Sequence, residues 1–524
     1  MIRLGYEHIK KIAYLFLAIP FLVFSIGWLK WYWAVLVCLG LFMTAYFGTF
    51  HSDLDDASIN KKKEITVSIK VLLIILVIAI IWVWQSGIGG MWAQSKDFTY
   101  RNAIFRDIVL RDWPVIYPVT GHALVYYIGY WLVPALFGKA ALCLGFNNEV
   151  SFRIADGALF IWTVFLILIV FILVIITLRV SDSKKQLFTA LFFIFFSGMD
   201  IWGNIGYSLN TIEYHLEWWA YDYQYSSFST CLFWVYNQAV PAWLCLLCVL
   251  NEKSAKNYVF IGMMCLFNAP IPFVGLFVFC ICLGIKKGLV YIKENKVKFF
   301  VKDVISIPNI IGACLFFPII ASYVLSNAAI QGTGSFRLSE SIAESAEVRG
   351  SAEIPFSNNP AINYVSFILI EFGLYLILTS WKYRKSFIYY VAWISLLIIP
   401  LLKIGEKKDF AMRASIPALL VVFLLICKYL FEEKEVLKQK DSLKRLSYIL
   451  LIFFLVLGSI TPLTEFLRGG KYVSEYGIRN EEKYDNIYTL GCDGPYDEQG
   501  HSVIYANFVA VDLDRLTFFK IFCK

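Results

Sequence analysis

Between Lys96 and Pro118 the chain reads KDFTYRNAIFRDIVLRDWPVIYP, which sets Asp97, Asp107 and Asp112 among Arg101, Arg106 and Arg111. A carboxylate can take the proton of an attacking hydroxyl, and a guanidinium can grip a phosphate with a forked pair of hydrogen bonds. The same residues also fit a plainer role. Asp97 with Arg101 and Asp107 with Arg111 have the i to i+4 spacing, acid first, that steadies a surface helix. In this stretch ligand and ion pair both stay open. A second cluster, KIGEKKDFAMR from Lys403 to Arg413, sets Lys403, Lys407, Lys408 and Arg413 against Glu406 and Asp409 alone. That excess of cations favours an anionic ligand.

A third stretch, NTIEYHLEWWAYDYQYSSFSTCLFWVYNQAVPAW from Asn210 to Trp243, packs Trp218, Trp219, Tyr221, Tyr223 and Tyr225 beside Glu213, His215, Glu217 and Asp222. Rings beside carboxylates make sugar-binding surfaces, the ring stacking on C–H bonds while the acid takes hydroxyls. They equally make the aromatic belt of a membrane interface. Asn237 and Gln238 stand inside an apolar run, where burial demands partners, so they are expected to face the bundle or a cavity. His215 with Glu213 or Glu217 is a weak metal signal, one histidine with scattered acids, and no cofactor or metal is expected.

The elements that must hold these residues are membrane helices. Hydrophobic residues make up 59% of the 524, and charged ones 16%, against about 25% charged in a soluble domain. Apolar windows of roughly 17 to 23 residues recur along the chain, which predicts an all-α polytopic membrane protein. The spans are expected at 12–28, 31–50, 67–86, 157–178, 187–206, 229–250, 304–326, 361–381, 387–402, 415–432 and 446–462. The run 258–285 is broken by Pro270 and Pro272 in NAPIP and reads as two short crossings or a re-entrant hairpin. The run 123–145 reads as an embedded hairpin or interfacial helices.

Lysine and arginine set the orientation. With the amino terminus in the cytoplasm, Lys61–Lys63, the 179–186 turn, the lysine loop from Lys286 to Lys302, Lys382 with Arg384 and Lys385, and the 433–445 loop all fall inside. About thirteen crossings result, with the carboxyl terminus outside. The outer segments are then 87–156, 207–228, 327–360 and 403–414. Residues 1–66 form two extra spans and a cytoplasmic loop, 67–462 the transmembrane core, and 463–524 a small outer cap. Ten of the twelve cysteines lie in apolar runs as small hydrophobes, while Cys492 and Cys523 in the cap are either a disulfide or free thiols. The formal charge of +8 suits anionic lipid, and no basic arm or aromatic platform points to nucleic acid.

No phosphate-loop motif is present, and the cytoplasmic loops are short. A transferase working outside has no nucleotide sugar at hand, so its donor must come from the lipid. A polyprenyl phosphate carrying a sugar fits, its phosphate at the interface against Arg and Lys.

The motifs GHALVYYIGYWLVPALFG (Gly121–Gly138) and SFRIADGALFIWTVFLILIVFILVIITLRV (Ser151–Val180) follow a long loop with an early Asp. Together they resemble the start of the integral-membrane glycosyltransferases of the C superfamily (GT-C), to which protein mannosyltransferases and aminoarabinose transferases belong. The resemblance covers about 110 residues, from about 70 to 180. It implies that Asp97 is the leading base and Asp107 the second, that His122 stands at the family's His-Pro-Pro-Leu-like turn, and that Arg153 takes the place of its conserved Arg. It also implies sugar transfer from a polyprenyl-phosphate donor to a glycan, lipid or protein acceptor of the cell envelope. Arg101, Glu213, His215, Asn237, Gln238, Lys407, Lys408, Asp409 and Arg413 are the remaining candidate contacts. The absence of any Asn-x-Ser/Thr sequon fits a bacterial plasma membrane. The rival reading is a transporter or flippase for an anionic solute or lipid, using the same cations and the broken NAPIP run.

Overall fold

The computed structural model describes residues 2–50, 64–204, 215–220, 222–332, 359–402, 408–433, 442–478, 486–487 and 503–524. Glu213, Lys403, Lys407, Cys492 and most of the 327–360 loop lie outside them. Among the described residues 77% are helical. Strand among the described residues is limited to two short antiparallel pairs, β1 (Ile2–Leu4) with β2 (Ile65–Val67) and β3 (Ala123–Leu124) with β4 (Val509–Ala510).

Nine helices among the described residues are long and apolar enough to cross a bilayer: Tyr6–Trp28, Trp31–Thr49, Asn148–Leu178, Ser183–Gly203, Phe228–Asn251, Pro270–Lys293, Ile307–Leu325, Pro360–Tyr383 and Ser442–Tyr476. A spanning backbone must satisfy its own N–H and C=O groups, which is why each apolar run becomes a helix. The chain is accordingly a multi-pass helical membrane protein, and apolar side chains such as Leu39, Phe42, Ile161 and Phe165 stay exposed on its outer faces as lipid contacts. The thirteen expected from hydropathy exceed nine partly because Ile69–Gln85, Tyr258–Asn268 and Phe387–Leu401 are apolar but short.

Two interruptions shape the interior. At NAPIP the Tyr258–Asn268 helix stops, Ala269 leaves helical geometry (φ −148°, ψ 74°), and Pro270 opens the next helix, since a residue before proline is pushed out of the helical region. The Phe228–Asn251 helix, the most deeply buried of the spans, is kinked at Val235 (φ −137°, ψ 35°). Its far end is clamped to the first helix through Glu252, which receives Lys10 at 2.9 Å and Tyr14 at 2.6 Å.

At the other end of the bundle the carboxyl-terminal segment returns to the first two helices. Lys30 N donates to Phe522 O at 2.8 Å, Lys524 N donates to Trp28 O at 3.0 Å, and Trp33 Nε1 donates to Ile521 O at 3.2 Å. Phe518 packs on Phe24 and Tyr323. Cys523 is buried opposite Leu29. The last span also runs further than hydropathy implies, through a second helix Ile460–Tyr476 that passes the boundary expected at 463.

Candidate functional site

The stretch between Asp97 and Arg111 folds as the helix Phe98–Leu110, with Asp97 at its start. Both acid-first pairs form: Arg101 Nη2 lies 3.0 Å from Asp97 Oδ2 and Arg111 Nε 2.8 Å from Asp107 Oδ1. The two pairs differ in what they leave unused. Asp107 is buried, and its Oδ2 also accepts from Tyr117 Oη at 2.8 Å and from the Ile487 backbone N at 3.0 Å. Its oxygens are engaged by three donors, so the structure gives the expected second base a tying role. In the first pair Asp97 is 37% exposed while Arg101 is 5% exposed, its face against the Tyr236 ring. Arg101 Nε and Nη1 are buried and have no hydrogen-bond acceptor among the described residues.

Arg413 comes to the same place from the short helix Asp409–Ala414. Its Nη2 pairs with Asp409 Oδ2 at 2.9 Å and its Nη1 donates to Tyr127 Oη at 3.2 Å, while Nε is buried without an acceptor among the described residues. The Tyr127 ring lies against Tyr126, and the hydroxyls of the two are hydrogen-bonded. Tyr126 feels the charge of both Arg413 and Arg101, and Arg413 feels Asp97. Burial works to lower the Arg413 pKa, but Asp409, Tyr127, Tyr126 and Asp97 outweigh it and the pKa is raised. A buried donor left unpaired costs about 1–3 kcal/mol, more when charged. Three such nitrogens around one carboxylate form a cradle for an anion.

The third wall is aromatic and charged. Lys408 Nζ sits 4.8 Å from the centre of the Trp218 ring, which stacks on His215 at 5.1 Å, and the Trp234 ring lies tilted against the imidazole at 5.1 Å. Behind them Glu465, 4% exposed, accepts from Trp234 Nε1 at 3.2 Å and pairs with Arg468. Burial pushes the His215 pKa down to about 4; Glu465 opposes this, Arg468 and Lys408 add to it, and Asp97 opposes it. His215 is therefore neutral at pH 7.

Asp97, Arg101, His215, Lys408, Asp409 and Arg413, which belong to three separate stretches of sequence, thus share one site. Others do not join it. Arg153 is 65% exposed and paired with Glu149 at 2.7 Å on the helix surface. The His122 backbone O accepts from Tyr117 N, and its ring lies 5.8 Å from Tyr505. Asn237 and Gln238 are fully buried just past the kink, with side-chain atoms that have no hydrogen-bond partner among the described residues. Glu217 is a loop staple, accepting from Ser226 Oγ at 2.6 Å and Ser227 N at 2.9 Å, and burial raises its pKa to about 8. Among the described residues no group of three His, Cys, Asp or Glu is placed to hold a metal ion.

Tyr126, Tyr127, Trp234, Glu465 and Arg468 are site residues that the sequence reading leaves unassigned. The one local signal is the i to i+3 pair Glu465 and Arg468 at the edge of the last apolar run. No family model, curated protein or solved structure matches this chain.

Proposed function

We propose that the chain is a membrane glycosyltransferase that takes a sugar from a polyprenyl-phosphate donor at the outer face of a bacterial plasma membrane. The observation that carries this reading is the set of buried, unpaired guanidinium nitrogens of Arg101 and Arg413 gathered around Asp97. They supply what the reaction needs: hydrogen-bond donors for a phosphate that gains charge as its sugar leaves, and a carboxylate within reach of an acceptor hydroxyl. Lys408 adds a further cation, and the Trp218 and Trp234 rings offer a stacking surface for the sugar. Membership of the GT-C superfamily, about thirteen crossings and an outer location of the site form one consistent proposal with it, because the positive-inside bias puts the starts of the Phe98–Leu110 and Asp409–Ala414 helices outside.

The test is transfer from a radiolabelled polyprenyl-phosphate hexose in membranes holding matched amounts of wild type, Asp97→Asn and Arg413→Ala. Asp97→Asn is expected to lower transfer by about 10²-fold or more, and Arg413→Ala by about 10²- to 10³-fold. Undiminished transfer by Asp97→Asn would remove that residue as base.

One observation favours the transporter reading instead: the broken NAPIP run abuts the Arg413 helix, as Gly275 lies directly against the Ala414 carbonyl. Counterflow of an anionic lipid across sealed vesicles, with no sugar transfer by wild type, would establish that alternative.

A further inference from the structure

His215 has the two-sided environment of a positioned imidazole. Its Nε2 faces Glu465 Oε1 at 3.8 Å, and its Nδ1 is buried with no hydrogen-bond partner among the described residues. The buried ring is held by Trp218 stacked on it and by Trp234 tilted against it. Glu465 is fixed in turn by Trp234 Nε1 and Arg468. An imidazole with one nitrogen toward an anchored carboxylate and an unused lone pair on the other is how proteins build a general base with its orienting acid, and the orienting bond is often long until substrate closes the site. Asp97, by contrast, already accepts from Arg101.

We propose that His215, oriented by Glu465, accepts the proton of the acceptor hydroxyl in place of Asp97, which instead holds Arg101 toward the phosphate; this role rests on the transfer reaction proposed above. In that step the acceptor oxygen bonds to the sugar carbon. The bond from that carbon to the phosphate oxygen breaks with its electron pair left on the phosphate, and the hydroxyl proton moves to Nδ1. Glu465 then faces the imidazolium and balances its charge.

The groups facing the ring fix when it can act. They are Glu465 and Arg468 from the Ile460–Tyr476 helix, Lys408 beside the Arg413 helix, and Asp97 at the start of the Phe98–Leu110 helix. With the site empty, burial foremost and then Arg468 and Lys408 hold the imidazole neutral. A phosphate beside Lys408 offsets that cation, so donor binding strengthens the base at the moment it is needed.

The experiment uses the full chain in lipid nanodiscs. It measures binding of polyprenyl phosphate and transfer from radiolabelled polyprenyl-phosphate hexoses between about pH 4 and pH 8. His215→Gln is expected to lower kcat about 100-fold with donor KM within about twofold, and to remove the fall in rate at acid pH. Glu465→Gln, which tests positioning, is expected to lower kcat about tenfold and to move that fall to lower pH, because losing a negative neighbour makes the imidazole harder to protonate. If His215→Gln fails to fold, the Glu465→Gln profile decides, and an unmoved acid limb overturns the proposal. Wild-type kcat in a folded His215→Gln overturns it alone and leaves the transferase standing. A wild type that neither binds polyprenyl phosphate nor transfers sugar overturns both.

Discussion

Asp97 and Asp107 carry the same side chain on one helical stretch, each with an arginine four residues on, and their surroundings assign them opposite work. Asp107 meets three donors, two of them from Tyr117 and the Ile487 backbone, so it joins distant parts of the outer face. Asp107→Asn is expected to cost about 2 kcal/mol, one charge-assisted bond weakened in a buried setting, and to leave transfer per folded molecule unchanged; apparent melting temperature and activity on the same sample check this. Asp97→Asn should instead lower transfer, and because it removes the carboxylate that faces buried Arg101 it also costs about 1–3 kcal/mol. The spacing of both pairs is legible in the sequence. Their difference is not, because the donors that occupy Asp107 come from 10 and 380 residues away. Glu217 gives a pH signature at the same scale. Its folded pKa of about 8 stands above the ordinary carboxylate value, so the folded state binds the extra proton between the two and its stability falls as pH rises through that window. Glu217→Gln is expected to flatten the decline in melting temperature from about pH 5 to pH 8; an unaltered slope would show that another group titrates.

At the scale of elements, the site is made by helix ends. Asp97 opens one helix, Lys408 precedes another, and the loop carrying His215 leads into the kinked Phe228–Asn251 helix. Hydropathy finds most of these helices because lipid leaves the backbone no other choice, and it finds the NAPIP break because proline excludes its predecessor from the helix. It misses the Ile460–Tyr476 helix, whose ITPLTEFLRGG start reads as the fading edge of a span although Glu465 is buried. A helix that turns a carboxylate inward toward a tryptophan and an arginine has no distinctive period. The break, in turn, lets Gly275 pack against Ala414, where a Cβ would collide with a backbone carbonyl that cannot step aside. Gly275→Val is therefore expected to displace the Arg413 helix and lower transfer at least tenfold while the remaining helices stay folded; unchanged transfer with unchanged melting would show that the contact is slack. No comparable signal announces Tyr126 and Tyr127, whose partner Arg413 lies 286 residues further on.

For the whole molecule, orientation decides whether a lipid-borne donor can reach the site. Glu294→Cys in the lysine loop should react with a membrane-impermeant thiol reagent from the cytoplasmic side alone, and Asp514→Cys from the outside alone. The reversed pattern would put the arginines in the cytoplasm and remove the reason for a lipid donor. The returning carboxyl-terminal segment binds Trp28, Lys30 and Trp33 through Lys520, Ile521, Phe522 and Lys524. The Tyr6–Trp28 and Trp31–Thr49 helices are therefore fastened by a segment far along the chain. Insertion of the spans and closure of this clasp are separate events: a variant lacking residues 518–524 would hold its spans in the bilayer yet leave the first two helices unfastened and the Phe24 and Tyr323 rings bare where Phe518 packs, an open seam that a quality-control protease could recognise.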